Sequence, residues 1–170
     1  MQGFVVYICI INEGVVKMYS DEDIKLMYER NIDMLYRICY TYFKGDKSKI
    51  EDVIQDIYLR VIDKNIGFES LEHEKAWFIV SARNACKNVL KRKWNNDIEL
   101  NFDYCDSNMN ENILDLVLNL PEKYKLIIYL HYYEGYSCVE IGKILKMPEN
   151  TVYSYLNRGR KMLRIELEEE

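Results

Sequence analysis

Apolar residues return every three or four positions along most of this chain, and several of the runs open on a residue suited to capping a helix. A 3.6-residue period lines one stripe of a helix and fits no strand. Ser20 with Asp23 opens the first run, in which Ile24, Met27, Tyr28, Ile32, Leu35, Cys39 and Tyr42 follow until Gly45. Ser48 with Glu51 has the pattern of a capping box, each side chain placed to bond the other's backbone N–H. Its stripe is Val53, Ile54, Ile57, Val61 and Ile62, ending near Gly67. A third helix is expected from about Glu72 to Lys93, with Ala76, Ile79, Val80, Cys86, Val89 and Leu90 as its apolar positions. Seven Gly and two Pro in 170 residues leave too little punctuation for an all-β protein.

The stretch 95–110 breaks the pattern. It is rich in Asn, Asp and Ser and has no period, as expected of a flexible acidic linker. Ile113, Leu114, Val117 and Leu118 then suggest a short helix ending before Pro121. Pro121 suits the first turn of the next helix, where its missing N–H costs nothing, and Gly135 stops that helix after Glu134. Ser137 with Glu140 is another capping box, opening a short helix to about Lys146. Met147, Pro148 and Glu149 make a turn, and a last helix carries Val152, Leu156, Gly159 and Leu163 on one face. The expected fold is therefore all-α: two small helical domains joined by a flexible acidic linker. The second ends in a short helix, a tight turn and a longer basic helix, the spacing of a helix-turn-helix, with Gly142 small enough to sit where the two helices cross.

A net charge of -5 argues at first against a polyanionic partner. The charge is segregated, however. Lys75, Arg83, Lys87, Lys91, Arg92 and Lys93 fall in one acid-free stretch. Lys143, Lys146, Arg158, Arg160, Lys161 and Arg164 fall in another, against Glu149 alone. Two basic patches in an acidic body suit a protein that touches a polyanion at two places, although solvated helix faces look the same.

Five scattered Cys (Cys9, Cys39, Cys86, Cys105, Cys138) form no CxxC pair, so neither a disulfide framework nor a metal site is expected. They read as buried free thiols in a reducing cytoplasm. The apolar run Phe4 to Ile11 is too short to span a bilayer. Residues 1–17 are expected to lie outside the working protein. Asn12 to Lys17 can be encoded by a purine-rich stretch resembling a ribosome-binding site ahead of Met18.

Five ordered segments carry a resemblance. The run Ile50-Glu51-Asp52-Val53-Ile54-Gln55-Asp56-Ile57-Tyr58-Leu59-Arg60 resembles the AEDLVQEVFLR motif of the sigma-70 family. Ala76-Trp77-Phe78-Ile79-Val80-Ser81-Ala82-Arg83-Asn84 is similar to its AWLYRIARN. Leu120 to Lys125 is similar to LPEKYR, and Glu134-Gly135-Tyr136-Ser137 with Glu140-Ile141-Gly142 to EGLSYEEIA. Asn150-Thr151-Val152-Tyr153-Ser154 with Arg158-Gly159-Arg160 is similar to GTVKSRLHRAR. The likeness spans roughly residues 20–165 and is closest to the extracytoplasmic-function (ECF) type, which keeps only the second and fourth sigma regions. Several positions depart from it. Ile62 stands where the family has Trp, Val80 where it has Arg, and Tyr153 and Tyr155 where it has basic residues. Lys146 replaces the usual turn Gly, so it is expected to hold a positive φ at a cost of about 1 kcal/mol.

The resemblance implies region 2 over 18–94, the linker over 95–110 and region 4 over 111–170. It implies a sigma factor that binds core RNA polymerase and promoter DNA, possesses no catalytic residue and uses no cofactor or metal. It further implies a cytoplasmic location, no membrane insertion, no small-molecule substrate and an anti-sigma factor as a further partner. Asp52, Gln55, Asp56 and Leu59, beside Tyr58, would grip the polymerase, polar groups rimming apolar contacts. Trp77, Arg83, Asn84, Lys87, Asn88, Lys91 and Arg92 would capture the melted −10 element, with amides reading a base edge and cations holding phosphates. In the last helix, Thr151, Tyr153, Ser154, Asn157, Arg158, Arg160 and Lys161 would contact the −35 element, Arg158 reading guanine. The linker's charge would mimic nucleic acid in the polymerase.

Two other classes stay in view. A polymerase-independent helix-turn-helix regulator would not need the Asp52 to Arg60 motif. A metal-dependent nucleotide hydrolase would need clustered ligands, yet His73 and His131 stand far apart in sequence and without acidic pairing.

Overall fold

A computed structural model describes residues 19–94 and 117–169. Among the described residues the helices run in the order α1 Asp21–Phe43, α2 Lys47–Asp63, α3 Leu71–Trp94, α4 Glu122–Tyr132, α5 Cys138–Leu145 and α6 Glu149–Glu169, with residues 117–119 helical ahead of Pro121. The expected N-terminal extension, the linker, the Ile113–Leu114 turn, Cys9 and Cys105 lie outside the described residues.

The first cap forms as its sequence predicts. Ser20 Oγ accepts from the Asp23 N–H at 3.2 Å, and Asp23 accepts from the Ser20 N–H at 2.8 Å. The Ser20 hydroxyl also donates to the Asp23 carboxylate at 2.7 Å, and this bond, with the one from the Ser20 N–H, holds the Asp23 pKa below its ordinary value. The helix ends on Lys44 at φ 49°, followed by Gly45 at φ 86°.

The second cap is a correction. Asp46, not Ser48, caps α2: its carboxylate accepts from the Lys49 N–H at 3.2 Å and pairs with the Lys49 ammonium. The left-handed turn at Lys44–Gly45 hands the chain to Asp46 in an extended conformation, so the helix begins before Ser48 is reached. It also ends earlier than Gly67, at Asp63, with Asn65 at φ 46°.

Helices α1, α2 and α3 pack mutually around Met27, Leu35, Ile38, Ile54, Ile57, Tyr58, Phe78 and Ile79. A polar network fastens the same group. Glu74, 5 % exposed, accepts from the Arg30 guanidinium at 2.9 Å and from the Asn31 amide at 2.7 Å. Asn31 also donates to the Met27 carbonyl at 2.9 Å, so its NH2 is fully used. Glu74→Gln retains one acceptor but removes the charge-assisted bonds, and we expect a loss of about 1–2 kcal/mol. Urea unfolding of the two proteins checks this, and equal midpoints would contradict it.

Helices α4, α5 and α6 form the second group. Ser137 and Glu140 make the expected capping box, at 3.3 Å and 2.8 Å. Lys146 takes the left-handed conformation, at φ 53°. Gly142 accounts for the tight turn: a Cβ there would stand 2.8 Å from the Met147 carbonyl oxygen, which no side chain tolerates without a backbone shift. The close neighbour is thus the turn itself, which reaches α6 at Glu149, whose Cα would be 3.8 Å away. Gly159 plays a similar part against α4, where a Cβ would meet Ile128 at 3.1 Å.

The two helical groups pack together. Helix α1 meets α4 and α3 meets α5, so one apolar cluster runs from Met27 to Leu156. No strand occurs among the described residues.

Candidate functional site

The candidate residues of α2 form one line. Asp52 and Asp56 are exposed, while Gln55 and Leu59 are half-buried. Their spacing of three and four residues aligns them on one face. Val53, Ile54, Ile57 and Val61 occupy the opposite, buried face. Tyr58 does not belong to the exposed line. It is fully buried, its ring 5.1 Å from Phe78, and its hydroxyl donates to the Met27 carbonyl at 3.4 Å. Burial raises its pKa well beyond the ordinary tyrosine value.

Helix α3 separates its candidate residues into two faces. Trp77, Asn84, Asn88 and Lys91 recur at seven, four and three residues, which makes one stripe. Both Asn side chains and Lys91 are exposed, as is Arg92 beside them. Trp77 is half-buried, its ring edge-on to Phe68 at 5.7 Å and Phe78 at 5.3 Å. It is therefore both a core contact and the apolar end of the amide stripe. Arg83 and Lys87 lie on a different flank. They are half-buried and line a cavity of about 230 Å³, facing Glu122, Lys123 and Tyr155 of the second group. Lys87 pairs with Glu122 at 3.0 Å.

Helix α6 buries Val152, Leu156 and Gly159, half-buries Thr151, Tyr155, Asn157 and Leu163, and exposes Tyr153, Ser154, Arg158, Arg160 and Lys161. At 100° per residue, Ser154, Asn157 and Lys161 point away from that buried line, with Arg158 next to them. Tyr153 and Arg160 share one flank, Thr151 and Tyr155 the other. Tyr153, at 59 % exposure, is a large ring offered to solvent. Arg160 stacks over the Tyr132 ring at 5.3 Å and donates to its hydroxyl. Arg158 is exposed but has a partner in Tyr124. Burial raises the Tyr124 pKa, and hydrogen bonds from Lys123 and Arg158 more than offset this, leaving it below the ordinary value.

Sequence reasoning missed the groups between the two sets of helices. Lys75 pairs with Glu134 at 2.8 Å, and Tyr129 donates to the same carboxylate at 2.5 Å. Burial alone would raise the Glu134 pKa, but these two bonds lower it below its ordinary value. Lys125 is half-buried and donates to the Thr41 carbonyl at 3.3 Å, and burial lowers its pKa. Nothing in the local sequence distinguishes these charged residues from solvated ones.

No group of three or more potential metal ligands, and no helix long and apolar enough to cross a membrane, occurs among the described residues. Cys39 and Cys86 are buried free thiols with sulfurs 3.6 Å apart, and Cys138 is half-buried.

Comparison with known proteins places these features. Residues 27–96 match the family model described as Sigma-70 region 2, and residues 110–163 match Sigma-70, region 4. The ECF RNA polymerase sigma factor SigX of Bacillus subtilis is 26% identical over 166 residues, covering 87% of this chain and 85% of that protein. SigW of the same organism is 25% identical over 158 residues, covering 79% and 83%. Among solved structures, the sigma factor RpoE crystallised with the anti-sigma factor NepR from Bartonella quintana superposes with a TM-score of 0.69 at 18% identity. That match covers 86% of this chain and 98% of the other.

Proposed function

The chain belongs to the sigma-70 family in its ECF branch, and from that premise we propose that it binds core RNA polymerase and directs promoter recognition and transcription initiation, with no covalent chemistry of its own. One observation carries the reading. A region 2 match with an exposed polar stripe precedes a region 4 match with a helix-turn-helix, and together the two span most of the chain. A polymerase-independent regulator would need only the second half. The working place of such a factor is the cytoplasm, where the polymerase and the promoter are. Sequencing the transcripts made in vitro by core polymerase with and without this protein tests the proposal. New start sites support it, and an unchanged transcript set overturns it.

Within that function the roles divide by chemistry. Asp52, Gln55, Asp56 and Leu59 bind the polymerase. The stripe of Trp77, Asn84, Asn88 and Lys91, with Arg92, receives the melted −10 strand: ring and amides for the base, cations for phosphates. Arg83 and Lys87 add phosphate contacts from the neighbouring flank. Region 4 sets α6 into the major groove of the −35 element, where Tyr153, Ser154, Asn157 and Arg158 meet base edges. Thr151, Arg160 and Lys161 meet the backbone. Residues 18–94 and 111–170 are the two working regions, and the acidic stretch 95–110 links them through a basic channel of the polymerase. An anti-sigma factor is a further partner.

Asn88→Ala separates opening from binding. An unpaired base becomes available only after strand separation, so its lost amide bonds matter only then. We expect reduced permanganate reactivity of the −10 thymines, by about three- to tenfold for one or two neutral hydrogen bonds, with closed-complex affinity nearly unchanged. Equal reactivity in variant and parent would remove Asn88 from this role.

A further inference from the structure

Helices α4 and α6 approach closely at Gly159, where a Cβ would meet the Ile128 side chain at 3.1 Å and the Tyr124 Cβ at 3.4 Å. The residues on either side of Gly159 turn by about 100° to opposite flanks of that contact. Tyr124, Ile128 and Tyr132 recur every four residues and form one row along α4. The two arginines beside Gly159 therefore reach opposite ends of this row. Arg158 meets the Tyr124 hydroxyl, and Arg160 meets Tyr132.

The second pair differs from the first. Tyr124 is buried, whereas Tyr132 is 56 % exposed. Arg160 spends its Nε–H on the Tyr132 hydroxyl, with its guanidinium carbon 5.3 Å from the ring centroid. A guanidinium held through Nε keeps its terminal nitrogens for a second acceptor, in the fork that suits a phosphate. Tyr132 is itself held. The His131 ring packs edge-on against it at 4.9 Å, and His131 Nδ1 donates to the Tyr136 carbonyl at 2.8 Å. An exposed pair of this kind contributes little to the fold. Its effect is on Arg160, a long side chain that would otherwise sample many rotamers. Held in place beforehand, it has less freedom to lose when it binds. Arg160 shares its flank of α6 with the exposed ring of Tyr153, so Tyr132 carries that open face across to α4.

We propose that Tyr132, which lies in α4 outside the helix-turn-helix, is a positioning residue for DNA: it holds the Arg160 guanidinium in the orientation that meets a backbone phosphate of the −35 element. The proposal rests on the functional reading above, which sets α6 into the major groove and Arg160 against the backbone.

The test is a double-mutant cycle in the full chain: Tyr132→Phe, which keeps the ring and removes the hydroxyl, Arg160→Ala, and both together. Fluorescence titration with a −35 duplex and with a duplex of random sequence gives affinity, and a thermal melt reports on the fold. We expect Tyr132→Phe to weaken binding to both duplexes by about three- to tenfold, with the preference between them and the melting temperature unchanged. In the Arg160→Ala background the same change should cost less than about twofold, because Tyr132 acts through Arg160. Parental affinity in Tyr132→Phe overturns the proposal. An equal loss in both backgrounds also overturns it, since Tyr132 would then be an independent contact. So does a lowered melting temperature or an altered preference, since Tyr132 would then orient the whole helix. A parent with no preference for the −35 duplex counts against the functional reading alone, because the ratio of parent to variant on the random duplex still tests the positioning. A parent that binds neither duplex overturns both.

Discussion

Asp56→Lys combined with Leu59→Ser is expected to lower affinity for core polymerase by about a hundredfold. Leu59 is half-buried already, so a partner helix need cover only its remaining surface. Completing the burial of a half-buried leucine contributes about half of what full burial gives, or about 1–1.5 kcal/mol. Asp56 is exposed one turn away on the same line, and reversing its charge sets two cations together wherever the partner presents one. Together the two changes approach about 3 kcal/mol, which is just over a hundredfold. Neither side chain supports the core, because Val53, Ile54, Ile57 and Tyr58 fill the buried side of α2. The variant should therefore melt like the parent. Surface-immobilised core polymerase and a thermal melt measure both quantities. Unchanged affinity would mean that the polymerase meets a different face of region 2. A region 4 fragment has no share in this interface, so DNA binding by the full chain should persist.

The helices of both regions were legible because capping chemistry and apolar period agree. Ser20 with Asp23 and Ser137 with Glu140 form boxes with the bonds their spacing predicts. Lys146 holds the positive φ expected of a residue replacing a turn glycine. Competition between neighbours was less legible. Asp46 and Ser48 are both good caps, and the backbone direction set by Lys44 and Gly45 decides for Asp46. Tyr58 shows the ambiguity of an amphipathic ring at the edge of a stripe. Its position suits solvent or core equally, and the Met27 carbonyl decides for the core. Burial of Glu74 was hidden because its partners Arg30 and Asn31 stand more than forty residues away. The contact between the two regions left no period at all. Its polar part is carried by residues such as Lys75, Lys87, Glu122, Lys125 and Glu134, charged side chains that any solvated helix displays.

The −35 helix offers a test that separates reading from holding. A bidentate Arg–guanine pair discriminates by roughly 1–3 kcal/mol, about ten- to a hundredfold. A phosphate contact adds affinity to every sequence alike, and its loss lowers the salt slope by about one. Arg158 stands next to the outward face of α6 and is exposed, with the Tyr124 hydroxyl as a partner to leave. Lys161 is exposed one turn further on. Arg158→Ala should therefore relax preference at one −35 position by ten- to a hundredfold while changing general binding little. Lys161→Ala should weaken binding to all sequences and flatten the salt dependence, leaving preference intact. If Arg158 serves only to hold Tyr124, its loss costs what an exposed polar contact costs, and no base preference moves. Titrating both variants against a randomised −35 library at two salt concentrations distinguishes these outcomes. Identical behaviour of the two variants would overturn the division into a base reader and a phosphate holder. Tyr153 provides the internal control: on the flank opposite Arg158, its exposed ring should contribute affinity through apolar contact with a thymine methyl and no salt dependence.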